Sequence, residues 1–451
     1  MHSANYTELA NEIVADIRAG KLRPGEKLPP LREFAYSRGI APSTAQRVYA
    51  ELGRRGFASG EVGRGTFVRL AARAARPMLA EPTFHGIDLD LNFPAAPGQE
   101  ASLAASLAEL MRREDEWRTA FRPASAHGTP RLRSVAAAFF SAHGWPLPMR
   151  NMLFAGNGKQ AIAAALAATV PRGEVLGVEA LTYPFVKTIA QQLGIRLWPL
   201  RLDGEGVVPG ALIEAKREAG ICAIYLQPIL HNPLGLTMSG LRAAEIADAL
   251  VTEDIVAIED SIYAFLDPDA DAKRLRTLAP QNVILVDGLS KRLVPGLTLG
   301  VIIAPDELRD GIEKALHTGA WVAPSFAQTA CARWMADGTA TQIAEAKRLD
   351  AAARQSLARR CLGRFGLIGN GQAYHSWLPL PDPWRADAFV AAAARHNIAI
   401  TPASAFAVAP GHVPNAVRLA LSAPPMETLS DALEKLASIL AGGCDVPPLA
   451  E

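Results

Sequence analysis

Six short apolar runs constrain this chain more than any other feature. They fall at Met152–Ala155, Val175–Val178, Ala223–Leu226, Ile255–Ile258, Val283–Val286 and Leu299–Ile303, each bounded by turn residues, with helical segments between most of them. Strands apolar on both faces, alternating with helices, predict a largely parallel sheet covered on both sides. From about residue 330 the pattern changes: a helix is followed by strands near Tyr374–Leu378, Ile398–Ile400 and Val417–Leu421. That order predicts a smaller α+β lobe closing a unit that spans residues 87–451.

A chain of 451 residues exceeds one ordinary domain, and 49% hydrophobic against 20% charged residues suffices for globular cores. The formal net charge of +1 excludes a protein that coats nucleic acid by charge alone, so any such contact is local. Cys222, Cys331, Cys361 and Cys444 are scattered without a C-x-x-C pair. That argues against a disulfide framework and a zinc site, and no metal is expected; a reducing, cytoplasmic setting fits. No apolar run reaches the roughly 20 residues that span a bilayer. Met1 to Ala10 carries no apolar signal core.

Residues 1–69 predict a separate unit. Tyr6, Leu9, Ile13 and Ile17 lie near helical spacing, and Gly20 ends that helix; Pro24-Gly25 marks a turn. A second helix starts near Pro30, carries Leu31, Phe34 and Ala35, and ends at Gly39. A third is expected to begin at Ser43, as an N-cap behind Pro42, burying Ala45, Val48 and Leu52. Phe57–Ser59 and Thr66–Val68 then read as strands around a glycine-rich turn, giving the layout of a winged helix. Residues 70–86, LAARAARPMLAEPTFHG, show no strand alternation and read as a linker.

The third helix presents Ser43, Thr44, Gln46 and Arg47 opposite Val48 and Leu52. Short polar side chains and an arginine at a helix start suit a major groove: Arg pairs bidentately with guanine and Gln with adenine. Hydroxyls and a helix N-terminus hold phosphates. Arg32, at the start of the second helix, and Arg64, in the hairpin turn, add backbone or minor-groove contacts. The string from Leu22 to Val68 resembles the GntR-type winged helix-turn-helix through Pro24-Gly25, Leu28-Pro29, Arg32, Ser43-Thr44, Tyr49, Leu52, Gly56 and Gly65–Val68. It departs at Pro30, where the family usually has Ser; Pro is tolerated in a first helical turn. The resemblance implies DNA as a partner.

In the α/β unit, Asp260 ends a buried strand and Tyr263 follows three residues later. Lys291 follows another strand, behind Ser290 and ahead of Pro295-Gly296. Asn232–Gly235 forms a turn after the strand ending at Gln227. These positions lie beyond strand C-termini, where open α/β sheets bind ligands. Their order resembles the fold type I aminotransferases over roughly residues 88–440. The resemblance implies pyridoxal phosphate (PLP), with Lys291 in SKRLVPGLTLG as the Schiff-base lysine and so the catalytic residue of any reaction. It places Asp260 on the pyridine nitrogen, Tyr263 and Asn232 on the ring hydroxyl, Tyr183 in VEALTYPF on the ring face, and Gly158 and Lys159 in AGNGKQAI at the phosphate-binding helix. Ser290 joins the cofactor set, and Arg418 in VRLALS would grip the carboxylate of an amino-acid effector through its bidentate fork. In the family an arginine that binds phosphate follows the lysine by seven residues; here the residue is Thr298, and Lys159 or Arg292 are the candidates to supply the missing charge.

The two resemblances together are those of the MocR subfamily. They imply an N-terminal winged helix-turn-helix joined to a fold type I aminotransferase-like domain with a smaller C-terminal α+β lobe. They also imply a head-to-tail homodimer and a transcription factor that answers to PLP or a small amine or amino acid. An active PLP-dependent aminotransferase carrying a DNA-binding domain is the alternative, since Lys291, Asp260 and Arg418 permit catalysis.

Overall fold

The computed structural model describes residues 6–18, 21–22, 26–54, 57–61, 65–68, 86–141, 148–409 and 413–442. The turn at Pro24-Gly25, Arg64, and all of the expected linker except Gly86 lie outside the described residues.

Three helices and a hairpin open the chain: α1 (Tyr6–Arg18), α2 (Leu31–Ser37), α3 (Pro42–Arg54), β1 (Ala58–Glu61) and β2 (Gly65–Val68). The helical spacing of Leu9, Ile13 and Ile17 puts them on one face, which packs with Phe34, Ala45, Val48, Leu52 and Val68 into one small core. Tyr49 joins it by its ring, 5.1 Å from that of Phe34, and its hydroxyl donates to Pro29 O at 2.8 Å. The hairpin is sewn on by Leu28 N to Thr66 O and Val68 N to Glu26 O, both 2.8 Å. Ser43 is not the cap of α3. Pro42 takes the first helical position, and Ala45 N donates to Ala41 O at 3.1 Å, so Ser43 stands inside the first turn. Proline suits that place because its missing N–H would have no partner there.

In the second unit β3 (Ile87–Leu89) is followed by α4 (Gln99–Met111), α5 (Glu114–Thr119) and α6 (Pro130–Phe140). Then come β4 (Met152–Ala155), α7 (Gly158–Thr169), β5 (Val175–Glu179), α8 (Pro184–Leu193) and β6 (Arg196–Leu200). A small hairpin, β7 (Leu202–Asp203) and β8 (Gly206–Val207), leads to α9 (Pro209–Ala219), β9 (Ala223–Leu226), α10 (Gly240–Thr252), β10 (Val256–Asp260), α11 (Leu275–Leu278), β11 (Val283–Gly288) and β12 (Gly300–Ile303). The chain continues as α12 (Asp306–Thr318), α13 (Ser325–Ala336), α14 (Thr339–Leu362), β13 (His375–Pro379), α15 (Ala386–Arg395), β14 (Ile398–Pro402), β15 (Ala416–Ala420) and α16 (Met426–Ala441).

The seven-stranded sheet has the order β4-β12-β11-β10-β9-β5-β6. All neighbours are parallel except β12, which runs antiparallel to both β11 and β4. β12 follows β11 without a helical crossover, and a short return is what antiparallel pairing allows. Successive residues serve opposite faces: Leu153 and Ala155 pack under α7 and α12, Met152 and Phe154 under α6 and α13. Each such buried large aliphatic or aromatic side chain contributes about 1.5–3 kcal/mol.

The smaller lobe is a four-stranded sheet of order β13-β15-β14-β3. Its edge strand comes from the other end of the unit: Ile87 pairs in parallel with Ile398 and Leu89 with Ile400. The lobe therefore does not begin at residue 330. It is built from both ends of the unit, a pairing across some 300 positions that no local pattern reveals. The 24-residue helix α14 joins it to the main sheet, with Ala340 and Ile343 in the core beneath α13 and Leu357, Ala358 and Leu362 in that of the lobe.

Candidate functional site

Asp260 is the last residue of β10 and is 4% exposed. Its Oδ2 accepts from the Tyr225 hydroxyl at 2.6 Å and from Gln227 Nε2 at 3.0 Å, while Oδ1 accepts from Ile262 N at 3.1 Å. Gln227 turns its other end to Asn232, whose backbone N donates to Gln227 Oε1 at 3.1 Å. One glutamine thus registers the Asn232 turn against the carboxylate. Burial pushes the Asp260 carboxyl up to about 6. A cation set against it would restore the ionised form.

Lys291 lies in the turn after β11, beside the half-buried Ser290. Its ammonium sits 3.9 Å from the centroid of the Phe93 ring, and Nζ donates to Asn92 O. Burial, with Lys159, Arg418 and Lys347 adding like charge, lowers its pKa to about 7. The turn itself is held by the fully buried Lys347 of α14, which donates to Lys291 O at 3.0 Å and to Leu293 O. Tyr263 is buried, and its hydroxyl, pushed to about 12 by burial, accepts from Asn92 Nδ2 at 3.0 Å. Behind Asn92 stands His375 (Nδ2 to Nδ1 3.5 Å), whose burial holds it neutral with a pKa of about 3. Tyr183 precedes α8; burial raises its hydroxyl well above the usual range, and Tyr263 and Asp260 raise it further.

Arg418 sits mid-strand in β15, opposite Trp377 and Thr401. It is 6% exposed. Its Nη2 donates to Thr401 Oγ1 at 2.7 Å and to Asp90 O, and Asp90 Oδ1 lies 3.5 Å away. Lys291, Asp260, Tyr263, Tyr183 and Arg418 all perturb one another's ionisation or that of a shared neighbour, so they lie close together.

At the other end of this cluster α7 begins. Asn157 caps it by accepting from Gln160 N at 3.0 Å, which leaves the N–H groups of Gly158 and Lys159 at the open end of a helix. Gly300 in β12 permits this packing, since a β-carbon there would lie 2.4 Å from Asn157 O. The Lys159 ammonium rests 3.4 Å from the Phe185 ring centroid. Thr298, where the family has arginine, is half-buried and its Oγ1 has no partner. Arg292 does not replace that arginine. It donates to Asp287 Oδ2 at 2.6 Å and lies 5.0 Å from the Phe140 ring and 5.1 Å from Phe265. Buried ion pairing commits it elsewhere, which leaves Lys159 as the available cation.

In the first unit Arg32, Ser43, Gln46 and Arg47 are exposed, and Thr44 is half-buried. Ser43, Gln46 and Arg47 share the outward side of α3 because Ala45, Val48 and Leu52 bind the other side to the core. Sequence reasoning missed Asp90, Asn92, Tyr225, Gln227, Lys347 and His375. Gln227, at a strand end before Asn232, carried a faint signal; Asp90 and Asn92, in DLDLNFP, carried none.

A polar helix face on a three-helix unit, joined to a buried amine, carboxylate and guanidinium at the strand ends of an α/β domain, defines a DNA-binding regulator fused to an aminotransferase-type domain. Comparison with known proteins agrees. The model of the bacterial regulatory proteins of the gntR family matches residues 5–68, and that of aminotransferase class I and II matches residues 85–436. An uncharacterised HTH-type transcriptional regulator of Bacillus subtilis, YdeF, is 30% identical over 441 residues, covering 96% of this chain and 94% of YdeF. The vitamin B6 salvage pathway transcriptional repressor PtsJ of Salmonella typhimurium is 26% identical over 418 residues, covering 89% and 92%. The fold of the kynurenine aminotransferase of Pyrococcus horikoshii superposes with a TM-score of 0.72 at 20% identity, over 82% of this chain and 96% of that one. The chain belongs to the MocR subfamily of GntR-type regulators.

PLP is the cofactor of such domains, and the residues present fit it. Asn92 Oδ1, Asn232 Oδ1 and Arg418 Nε are buried without partners, a state that costs about 1–3 kcal/mol each until a ligand relieves it. Among the described residues no helix is long and apolar enough to cross a membrane.

Proposed function

We propose that this protein is a ligand-responsive transcription factor that holds PLP covalently on Lys291 and reports the state of that site to operator DNA. The feature that carries the reading is the half-buried Lys291, whose Nζ donates to Asn92 O beside the Phe93 ring and whose ionisation is coupled to that of Asp260, the carboxylate that Tyr225 and Gln227 hold in place. When bound, the cofactor supplies an aldehyde that combines reversibly with amines and a ring that draws electrons from them. Asp260 would keep the pyridine nitrogen protonated. Tyr263 and Asn232 would hold the ring hydroxyl, Tyr183 would lie on the ring face, and Gly158, Lys159 and Ser290 would line the phosphate end. Arg418 would bind the carboxylate of an amino-acid effector.

On the DNA side, Gln46 and Arg47 would read base edges, with Arg32, Ser43, Thr44 and Arg64 on phosphates or the minor groove. A ligand switches such a protein only if it binds two placements of the reader domains unequally. A head-to-tail homodimer in the cytoplasm completes the reading. Phe121 and Phe326, 71% and 40% exposed, flank the segments joined by the Ser325 hydroxyl on Arg122 O, and exposed aromatics there suit a partner surface.

Titration of the purified protein with PLP, followed by absorbance, tests the cofactor; a protein that stays colourless removes this account. Mixing the loaded protein with an amino acid and a keto acid separates sensor from enzyme. Sustained turnover would favour the aminotransferase reading, and operator affinity that shifts with the amine the sensor.

A further inference from the structure

Both cations that would meet the ligand are held by the same short stretch of chain. Lys291 Nζ donates to Asn92 O, and the Asn92 side chain bonds the Tyr263 hydroxyl. Two residues earlier, Asp90 O accepts from Arg418 Nη2. Nη2 also donates to Thr401 Oγ1, and the Thr401 hydroxyl donates to Asp90 Oδ1. An Nη nitrogen has two hydrogens, so both on Nη2 are spoken for. A carboxylate gripped through a bidentate fork needs one of them back, whether the fork is formed with Nη1 or with Nε. PLP bound covalently to Lys291 would already take the amine from Asn92 O, so the contact left to answer an effector's carboxylate is that of Arg418.

The position of this stretch in the chain matters. Asp90 directly follows β3, the three-residue edge strand that opens the second unit and is tied to the lobe through β14. Residue 86 is where that unit starts after the segment leading from the DNA-reading domain. Asp88 Oδ1 accepts from both Asp90 N and Leu91 N at 2.8 Å, which braces this corner.

We propose that Asp90 is a ligand-gating residue: with Thr401 it occupies Arg418 Nη2, the carboxylate of an amine adduct displaces it, and β3, the strand it follows, carries that displacement towards residue 86, where the second unit begins. This rests on the assignment of Lys291 and Arg418 to cofactor and effector. Asp90 also acts through its charge. It sets a resident negative charge beside the guanidinium, with its side chain 49% exposed, and so selects against ligands that bind Arg418 weakly.

The test uses the full-length protein and two stable probes, N-(5′-phosphopyridoxyl)-L-alanine and N-(5′-phosphopyridoxyl)ethylamine, which differ only in the carboxylate. Hydrogen exchange of the peptide spanning residues 86–96 is expected to rise with the alanine adduct and to rise less with the ethylamine adduct. In Asp90→Ala the alanine adduct is expected to bind roughly fivefold tighter, the scale of one partly exposed ion pair, with the ethylamine adduct unchanged. Unchanged exchange over 86–96 with both adducts bound would overturn the gating while leaving the cofactor assignment intact. Equal effects of Asp90→Ala on both adducts would do the same. A protein that takes up neither PLP nor the adducts would overturn both readings.

Discussion

Helix α3, proposed to read DNA, and the proposed cofactor site place their candidate side chains in opposite settings. On α3, Ser43, Gln46 and Arg47 point into solvent from a helix whose other face is locked into a core of Ala45, Val48 and Leu52. In the proposed cofactor site, Asp260, Tyr263 and Arg418 are each less than 7% exposed and bonded to residues from distant parts of the chain. The first arrangement needs only a straight helix. The second shifts pKa values by burial and needs a tertiary structure to hold every partner. A surface that reads grooves must meet water between encounters, whereas a site that captures an aldehyde must keep an amine uncharged.

The sharpest way to break this contrast is Lys291→Ala. It should abolish the PLP-dependent absorbance of the protein while circular dichroism shows an intact fold. A retained absorbance would shift attention to Lys347, the other buried amine near neutrality, with a pKa of about 7. Acidity gives the next largest effect. Burial lowers the Lys291 pKa to about 7, so its reactive neutral form dominates above that pH and is lost below it. The rate of PLP uptake should level off above pH 7 and fall about tenfold for each unit below; a rise that continues to pH 10 would mean an exposed, ordinary lysine. Asp260→Asn should weaken PLP binding by roughly 3–5 kcal/mol, the scale of removing one partner from a buried charge pair, read by fluorescence titration.

On the exposed side, Arg47→Ala should cost specific operator binding about 1–3 kcal/mol if the guanidinium reads a base. An equal loss on random DNA would confine it to phosphate contact. Lys159→Ala is the smallest change. It removes the available cation near the helix that would take the phosphate, and should loosen PLP by under about 1 kcal/mol. A much larger loss would show that this lysine carries the whole role of the arginine absent at Thr298.

Much of the second unit was legible because its strands are short apolar runs with polar ends, a pattern local to a few residues. The positions of Asp260, Lys291 and Asn232 beyond those ends followed from the same pattern. The part played by Asp90 and Asn92 did not. Each reaches its partners only because Ile87–Leu89 pairs with Ile398–Ile400. Arg292 shows the converse: its sequence position next to Lys291 suggested a phosphate ligand, yet Asp287 and the Phe140 and Phe265 rings claim it. The cap of α3 was misplaced by two residues: Ala41, whose carbonyl accepts from Ala45 N, stands at the cap, with Pro42 at the first helical position and Ser43 behind it.

The order of helices and strands, the exposed polar face of α3 and the residue types at the strand ends were written in the sequence itself, because periodicity and turn chemistry act over a few residues. Which groups hold Lys291 and Arg418, which arginine is spent in a buried pair, and how the first strand of the second unit meets the last sheet were settled only by folding. Those outcomes depend on contacts between residues as much as 328 positions apart, and such contacts leave no periodic trace in one sequence.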